Sequence, residues 1–442
     1  MENKLAQNFT ITSLLKFTAP TCIMLMFMSL YQMTDAVFVS NFVGENALSA
    51  LNIVFPIPSI IIALSIMLAT GGSAIIAKNM GEGQAQKAKQ NFSMIVFVGF
   101  LLGIVIMIVG VIWIKPIIKV LGATPILYAY SYDYLFILLL ACPLTVLQML
   151  FQTFFVTAGK PHLGLVSTIL GGLSNIVLDY LFIVVFHMGV AGAAVATSIG
   201  YALPAIIGLF YFFLNKKGTL YFVKPVFDRI VLLKTCTNGS SEMVTNLAIA
   251  IVTLLFNKIM LQYLGENGVA AITIVLYAQF LLTSIFMGFS NGVAPVFSYN
   301  YGNNNKAQMK KIFKMSLCII SVLSILMYII SLVFATPIIS VFTSSESEVF
   351  KITYHGFFLF SISYLFTGVN IFASSMFTAF SNGKISALLS FLRTFVFLVA
   401  ALLLLPEIMG VDGIWLAVPI AEFIAILVSI FTMYRNKEYF QS

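Results

Sequence analysis

Long apolar runs, broken by short polar or Gly/Pro stretches, set the pattern of this chain. Ile95 to Trp113 and Leu317 to Val333 are two of them, continuous and free of charged residues. A helix rising about 1.5 Å per residue needs about 20 such residues to cross a bilayer. A membrane barrel would instead show short segments of alternating polarity. The breaks predict twelve spans, at about 17–40, 47–77, 92–114, 131–158, 163–186 and 190–214, then 236–263, 268–299, 315–342, 350–380, 385–405 and 413–434. The predicted fold is therefore all-α, an integral membrane bundle of twelve transmembrane helices.

The second half repeats the first. Gly44-Glu-Asn-Ala-Leu-Ser-Ala50 returns as Gly265-Glu-Asn-Gly-Val-Ala-Ala271, displaced by 221 positions in a chain of 442. The same displacement joins Gly71 to Gly292, Gly81 to Gly302, and Gly189-Val190 to Gly410-Val411; Gly159-Lys160 returns at Gly383-Lys384 after a small insertion. Six spans per half is an even number, so both copies enter the membrane in one orientation. The two six-helix repeats should be related by a pseudo-twofold along the membrane normal, with a cavity between them. The expected division is an N-terminal lobe at 1–214, a cytoplasmic linker at 215–235, and a C-terminal lobe at 236–442. The basic stretch 215–234 reads either as a solvated linker or as an amphipathic surface helix.

Composition narrows the class further. Hydrophobic residues make up 60% and charged ones 9%, which excludes a soluble globule and a disordered chain. The net charge of +8 would suggest nucleic acid in a soluble protein, but here its placement decides. Eighteen Lys and Arg fall in loops and tails on the side of the termini, against Lys115, Lys119 and Lys351 on the other, with Lys258 and Arg393 inside spans. Both termini are thus expected on the cytoplasmic side of a multi-pass membrane protein. The four cysteines have no disulfide or metal spacing, and the first span reads as retained.

Acids inside spans are the chemical signal, since an ionised side chain at mid-bilayer costs at least ~2.5–3.5 kcal/mol. Asp35, Asp179, Glu242 and Glu422 are such residues. Asn175 and Asp179 are four apart and share a helix face. Counted from the span ends, Asp35, Asp179 and Thr197 come to one depth, roughly 10 Å in at ~1.5 Å per residue. Two carboxylates, a carboxamide and a hydroxyl suit a hard monovalent cation or a shared proton. Separate caps or pairings for each acid are the plainer alternative. Glu242 and Glu422 are candidate acids of a substrate cavity, and packing or interface roles are as open to them. Arg393 is expected to snorkel or to pair with an acid.

A family resemblance rests on Met33 to Gly44, on Asn175-Ile-Val-Leu-Asp-Tyr-Leu-Phe182, on Gly189-Val-Ala-Gly-Ala-Ala-Val-Ala-Thr197 and on Met80-Gly-Glu-Gly83. Over nearly the whole chain these segments resemble the multidrug and toxic compound extrusion (MATE) family, and within it the MepA-like bacterial exporters. The resemblance implies a cation-coupled antiporter of a bacterial inner membrane, driven by Na⁺ or H⁺, exporting hydrophobic cationic drugs or dyes. It implies a coupling site at Asp35, Asn175, Asp179 and Thr197, and it likens Glu242 to an acid that other branches carry on the seventh helix. No cofactor besides the coupling ion is expected, no nucleic-acid partner, and a monomer in contact with lipid. The rivals are a lipid-linked oligosaccharide flippase of the wider superfamily, an intramembrane enzyme and a channel. The spans carry none of the Ser/His, HExxH or paired-Asp patterns an enzyme needs.

Overall fold

The computed structural model describes residues 4–439, with the side chains of residues 32, 33, 35–37, 40 and 45 outside that description. Each apolar run forms a helix because inside a bilayer every backbone N–H and C=O must find its partner within the segment. In the first half these are α1 (Ile11–Phe42), α2 (Glu45–Val54 continued by Pro56–Gly81), α3 (Ala85–Ile112), α4 (Pro125–Thr157), α5 (Pro161–Asp179, prolonged by a π-helical turn over Tyr180–Val185) and α6 (Gly189–Leu214). The helix Arg229–Gly302 has 74 residues, far more than one crossing needs. It breaks at Gly265, whose φ of 65° and ψ of −152° suit glycine alone, into α7 (229–264) and α8 (266–302). Then come α9 (Lys306–Val333), α10 (Glu348–Ser361 and Tyr364–Ala379, bent by 52° at the junction), α11 (Gly383–Met409) and α12 (Val411–Arg435). Ten helices pass the length and hydropathy test for crossing a membrane singly. The one broken at Gly265 counts twice and the bent pair adds another, which makes twelve crossings among the described residues.

The repeated glycines do two jobs. Gly44 and Gly265 sit at the α1–α2 and α7–α8 turns with φ of 114° and 65°, and Gly189 and Gly410 open α6 and α12 with φ of 58° and 60°. The others let the lobes meet. A methyl on Gly71 would strike the Thr235 carbonyl oxygen and lie 2.8 Å from the Gly239 nitrogen; one on Gly239 would strike Met67. Across the pseudo-twofold the pattern recurs, with Gly292 against Thr18 and Gly288 against the Cys22 backbone. Gly81 and Gly302 bring the ends of α2 and α8 together. All these approaches lie in the halves of α1, α2, α7 and α8 nearest the face that carries both chain termini, so the lobes are sealed along that face.

The segment 215–228 is non-helical, so no amphipathic helix lies there, and 229–235, expected in the linker, open α7. The segment is also docked rather than solvated. Thr219 donates to the Ala158 carbonyl at 3.1 Å, and the Ser93 hydroxyl accepts from the Val223 N–H at 3.0 Å. Phe222 sets its ring 5.2 Å from Phe92 and 6.3 Å from Phe151. At the end of the second half Tyr439 does the same, stacking on Phe380 at 5.1 Å. Each lobe is thus floored by an aromatic ring from the segment that follows its sixth helix.

Candidate functional site

In the first lobe, α5 is the organising helix because its glycines admit both neighbours. A methyl on Gly172 would lie 2.6 Å from Phe27 and 2.8 Å from the Tyr31 ring, which fixes the register of α1 on α5. A methyl on Gly171 would lie 2.5 Å from the Gly200 carbonyl oxygen, and one on Gly200 would lie 3.0 Å from Asn175 Cβ, which fixes α6. α1 and α5 run the same way, so positions can be counted from Gly172, which packs between Phe27 and Tyr31. From the midpoint of that pair Asp35 lies about 9 Å further along its helix, while Asn175 is about 4.5 Å and Asp179 about 10 Å along α5. The three backbone positions therefore fall within about one turn of one another, with Asp35 nearest the level of Asp179.

Asp179 is fully buried, Asn175 is 2% exposed and Thr197 is 8% exposed. Asp179 and Thr197, like Tyr31 and Tyr201 nearby in sequence, are each engaged with a partner. Asn175 is different: among the described residues neither its amide oxygen nor its amide nitrogen has a hydrogen-bond partner. Leaving a buried polar group unmatched costs about 1–3 kcal/mol. The side chain of Asp35 lies outside the described residues, so only its place on α1 enters here. Among the described residues no group of three or more His, Cys, Asp or Glu could hold a metal. The oxygens of Asn175, Asp179 and Thr197 are the kind that hold an alkali cation, which needs no such group.

The second lobe has its own polar cluster, which the sequence disclosed only in part. Arg393 Nη1 lies 3.1 Å from Glu422 Oε1, with both side chains about nine-tenths buried. Asn370 donates to Glu422 Oε2 at 2.6 Å and to the Glu422 carbonyl at 2.9 Å, and the Ser429 hydroxyl donates to Asn370 Oδ1 at 2.9 Å. Glu422, a candidate for attracting cations to the cavity, is thus neutralised by Arg393 within its own lobe. Asn370 and Ser429 were missed by a search for charge; an amide and a hydroxyl in apolar runs were the only signals. Arg393 sits in a π-helical turn over Leu392–Phe397, so a widened turn adjoins the buried charge of α11, as another adjoins that of α5.

Glu242 is at neither cluster's centre. It lies on α7 one turn beyond Gly239, half-buried, beside a cavity of about 20 Å³ on the seam. Thr70, Ser73 and Thr153 line it from the first lobe, and Glu242, Asn291 and Thr378 from the second. The cavity has room for about one water.

Two six-helix lobes, sealed along one face and each carrying buried ionisable side chains, define a multi-pass membrane transporter of the alternating-access type and not an enzyme. The chain belongs to the MatE family, whose model matches it twice, at residues 20–181 and 243–403. Multidrug export protein MepA of Staphylococcus saprophyticus is 24% identical over 435 residues, covering 96% of this chain and 94% of that one. Among solved structures, a MATE protein in complex with MaL6 superposes with a TM-score of 0.93 at 21% identity, over 99% of both chains. An outward-facing multidrug resistance MATE transporter of the MOP superfamily superposes with a TM-score of 0.92 at 22% identity, over 98% of this chain and 97% of that one.

Proposed function

We propose that the protein is an antiporter that exports hydrophobic organic cations in exchange for Na⁺ or H⁺, with the coupling ion held by Asp35, Asn175, Asp179 and Thr197. The observation that carries this reading is the buried, unmatched Asn175 amide one turn from the fully buried Asp179. A bound cation supplies Asn175 Oδ1 with the partner it lacks. The repeat supports a site in one lobe only: at the displacement of 221, Asp35 maps to Phe256, Asp179 to Ala400 and Thr197 to Val418. Relatives named as multidrug export proteins support the substrate class, as does a chain with 42 Phe, 18 Tyr and 20 Met. Glu242 is the acid we assign to the drug path.

The face that carries both termini is cytoplasmic in this reading, since it holds eighteen of the Lys and Arg residues. The sealed seam then closes the cytoplasmic side, and the conformation is the one open outward. A cation entering from outside moves toward a negative interior, worth ~2.3 kcal/mol per charge per 100 mV. Ion and drug compete by favouring different lobe arrangements, a shift of populations. All proposed ligands come from one chain, which supports a working monomer. A lipid-linked oligosaccharide flippase would need several cations facing its cavity; of the two cations inside spans, Arg393 is already neutralised by Glu422 and Lys258 is an exposed side chain.

Proteoliposomes with imposed Na⁺ or H⁺ gradients test the proposal through efflux of a quaternary ammonium dye. Asp35→Asn and Asp179→Asn should each abolish gradient-driven efflux at equal protein levels. Normal efflux by either variant would remove that residue from the coupling site.

A further inference from the structure

Each lobe carries two acids inside its spans, Asp35 and Asp179 in the first, Glu242 and Glu422 in the second. Only the second also buries a cation. Arg393 is about nine-tenths buried and pairs with Glu422 at 3.1 Å, while Asn370 takes the other carboxylate oxygen at 2.6 Å and is itself fixed by Ser429. Both Glu422 oxygens thus already have a partner from within the lobe. Among the described residues the Arg393 Nε–H has no partner, so hydrogen bonding does not saturate the guanidinium. An arginine is costly within a membrane-embedded lobe and is kept there when it neutralises something.

We propose that Arg393 is a tethered counter-ion: it fills the place of an exchangeable cation in the second lobe and thereby confines ion exchange to the first. The inference rests on the coupling site assigned above. A bound guanidinium cannot leave, so the charge of the second lobe stays constant through the transport cycle. The asymmetry between the lobes then comes from a gained cation as well as from lost oxygen ligands. Arg393 is a positioning and specificity-setting residue, since it does not touch the ion exchanged in the first lobe.

The test counts cations on the purified full-length protein in detergent, using ²²Na⁺ equilibrium dialysis and, without Na⁺, proton uptake in a back-titration. Arg393→Met should take up one more cation equivalent per chain than the wild type, and Arg393→Lys none. The extra equivalent should persist in Arg393→Met/Asp179→Asn, which separates this result from any failure of the first-lobe assignment. It should vanish in Arg393→Met/Glu422→Gln. A folded Arg393→Met protein with the wild-type cation count would overturn the proposal. If that variant does not fold, Arg393→Met/Glu422→Gln carries the test through its ratio of ions to drug in proteoliposomes. An unchanged ratio supports the tethered counter-ion, and lost coupling overturns it by placing the pair on the ion's path.

Discussion

Gly81 and Gly302, equivalent positions of the two halves, abut each other's helices: a methyl on the first would strike the Tyr299 carbonyl oxygen, and a methyl on the second the Lys78 carbonyl oxygen. Neither obstacle is a side chain that can swing aside. The sealed face therefore depends on two missing methyl groups at the base of α2 and α8.

Gly81→Ala and Gly302→Ala should each favour the arrangement in which this seam is parted. Cys22 reports on it, since its Sγ lies 3.7 Å from the Ile285 carbonyl on the opposite lobe. In a protein retaining Cys22 as its sole cysteine, either alanine should speed maleimide labelling from the sealed face several-fold. Equal labelling rates would mean that the helices absorb the methyl without parting.

Asn175→Leu separates an ion site from a structural hydrogen bond. Because neither amide atom is satisfied, the substitution should leave stability without ions unchanged or raise it by about 1 kcal/mol. Stabilisation by the coupling ion should fall at least tenfold in apparent affinity. Thermal melts across an ion titration provide both readings, and an ion-independent loss of stability would argue for a purely structural amide.

Glu422→Gln should act on stability first. It leaves Arg393 buried without its partner charge, which costs about 3–5 kcal/mol in comparable pairs. The double variant Arg393→Met/Glu422→Leu should regain most of that loss in a thermal melt. A Glu422→Gln protein of wild-type stability, impaired only for cationic drugs, would return Glu422 to the substrate cavity.

Phe222→Ala should lower stability by about 2 kcal/mol, below the 3–5 of a fully buried phenylalanine, because the ring is half-buried against Phe92 and Phe151. A detergent melt checks this. An unchanged midpoint would show that the segment merely lies against the lobe.

The twelve crossings and their two halves were legible because hydrocarbon thickness dictates a length that sequence cannot disguise. Helix ends were less so. α9 starts at Lys306 and carries Lys310, Lys311 and Lys314 before its apolar run, since helical hydrogen bonding continues beyond the membrane. The displaced glycines were visible as a repeat, but that Gly71 and Gly292 mark contacts between lobes depends on which helices meet. For the candidate site, residue types pointed to Asn175 and Asp179, while the register on α1 came only from the packing of Gly172 between Phe27 and Tyr31. Arg393 was a charge in want of a partner; that Glu422 fills the role is a matter of helix adjacency. Asn370 gave only a weak signal, because an uncharged amide is cheap enough in a span to pass as background.

The docked segment 215–228 bears on how the molecule is made. Leu220 and Phe222 complete the base of the first lobe, although both follow its last helix in the chain. A ribosome that has delivered six helices to the insertion machinery still withholds the pieces that close them. Once this segment emerges it clasps the finished half before α7 begins. The second half is then inserted beside a completed partner, and its own closing ring, Tyr439, likewise follows its sixth helix in the chain.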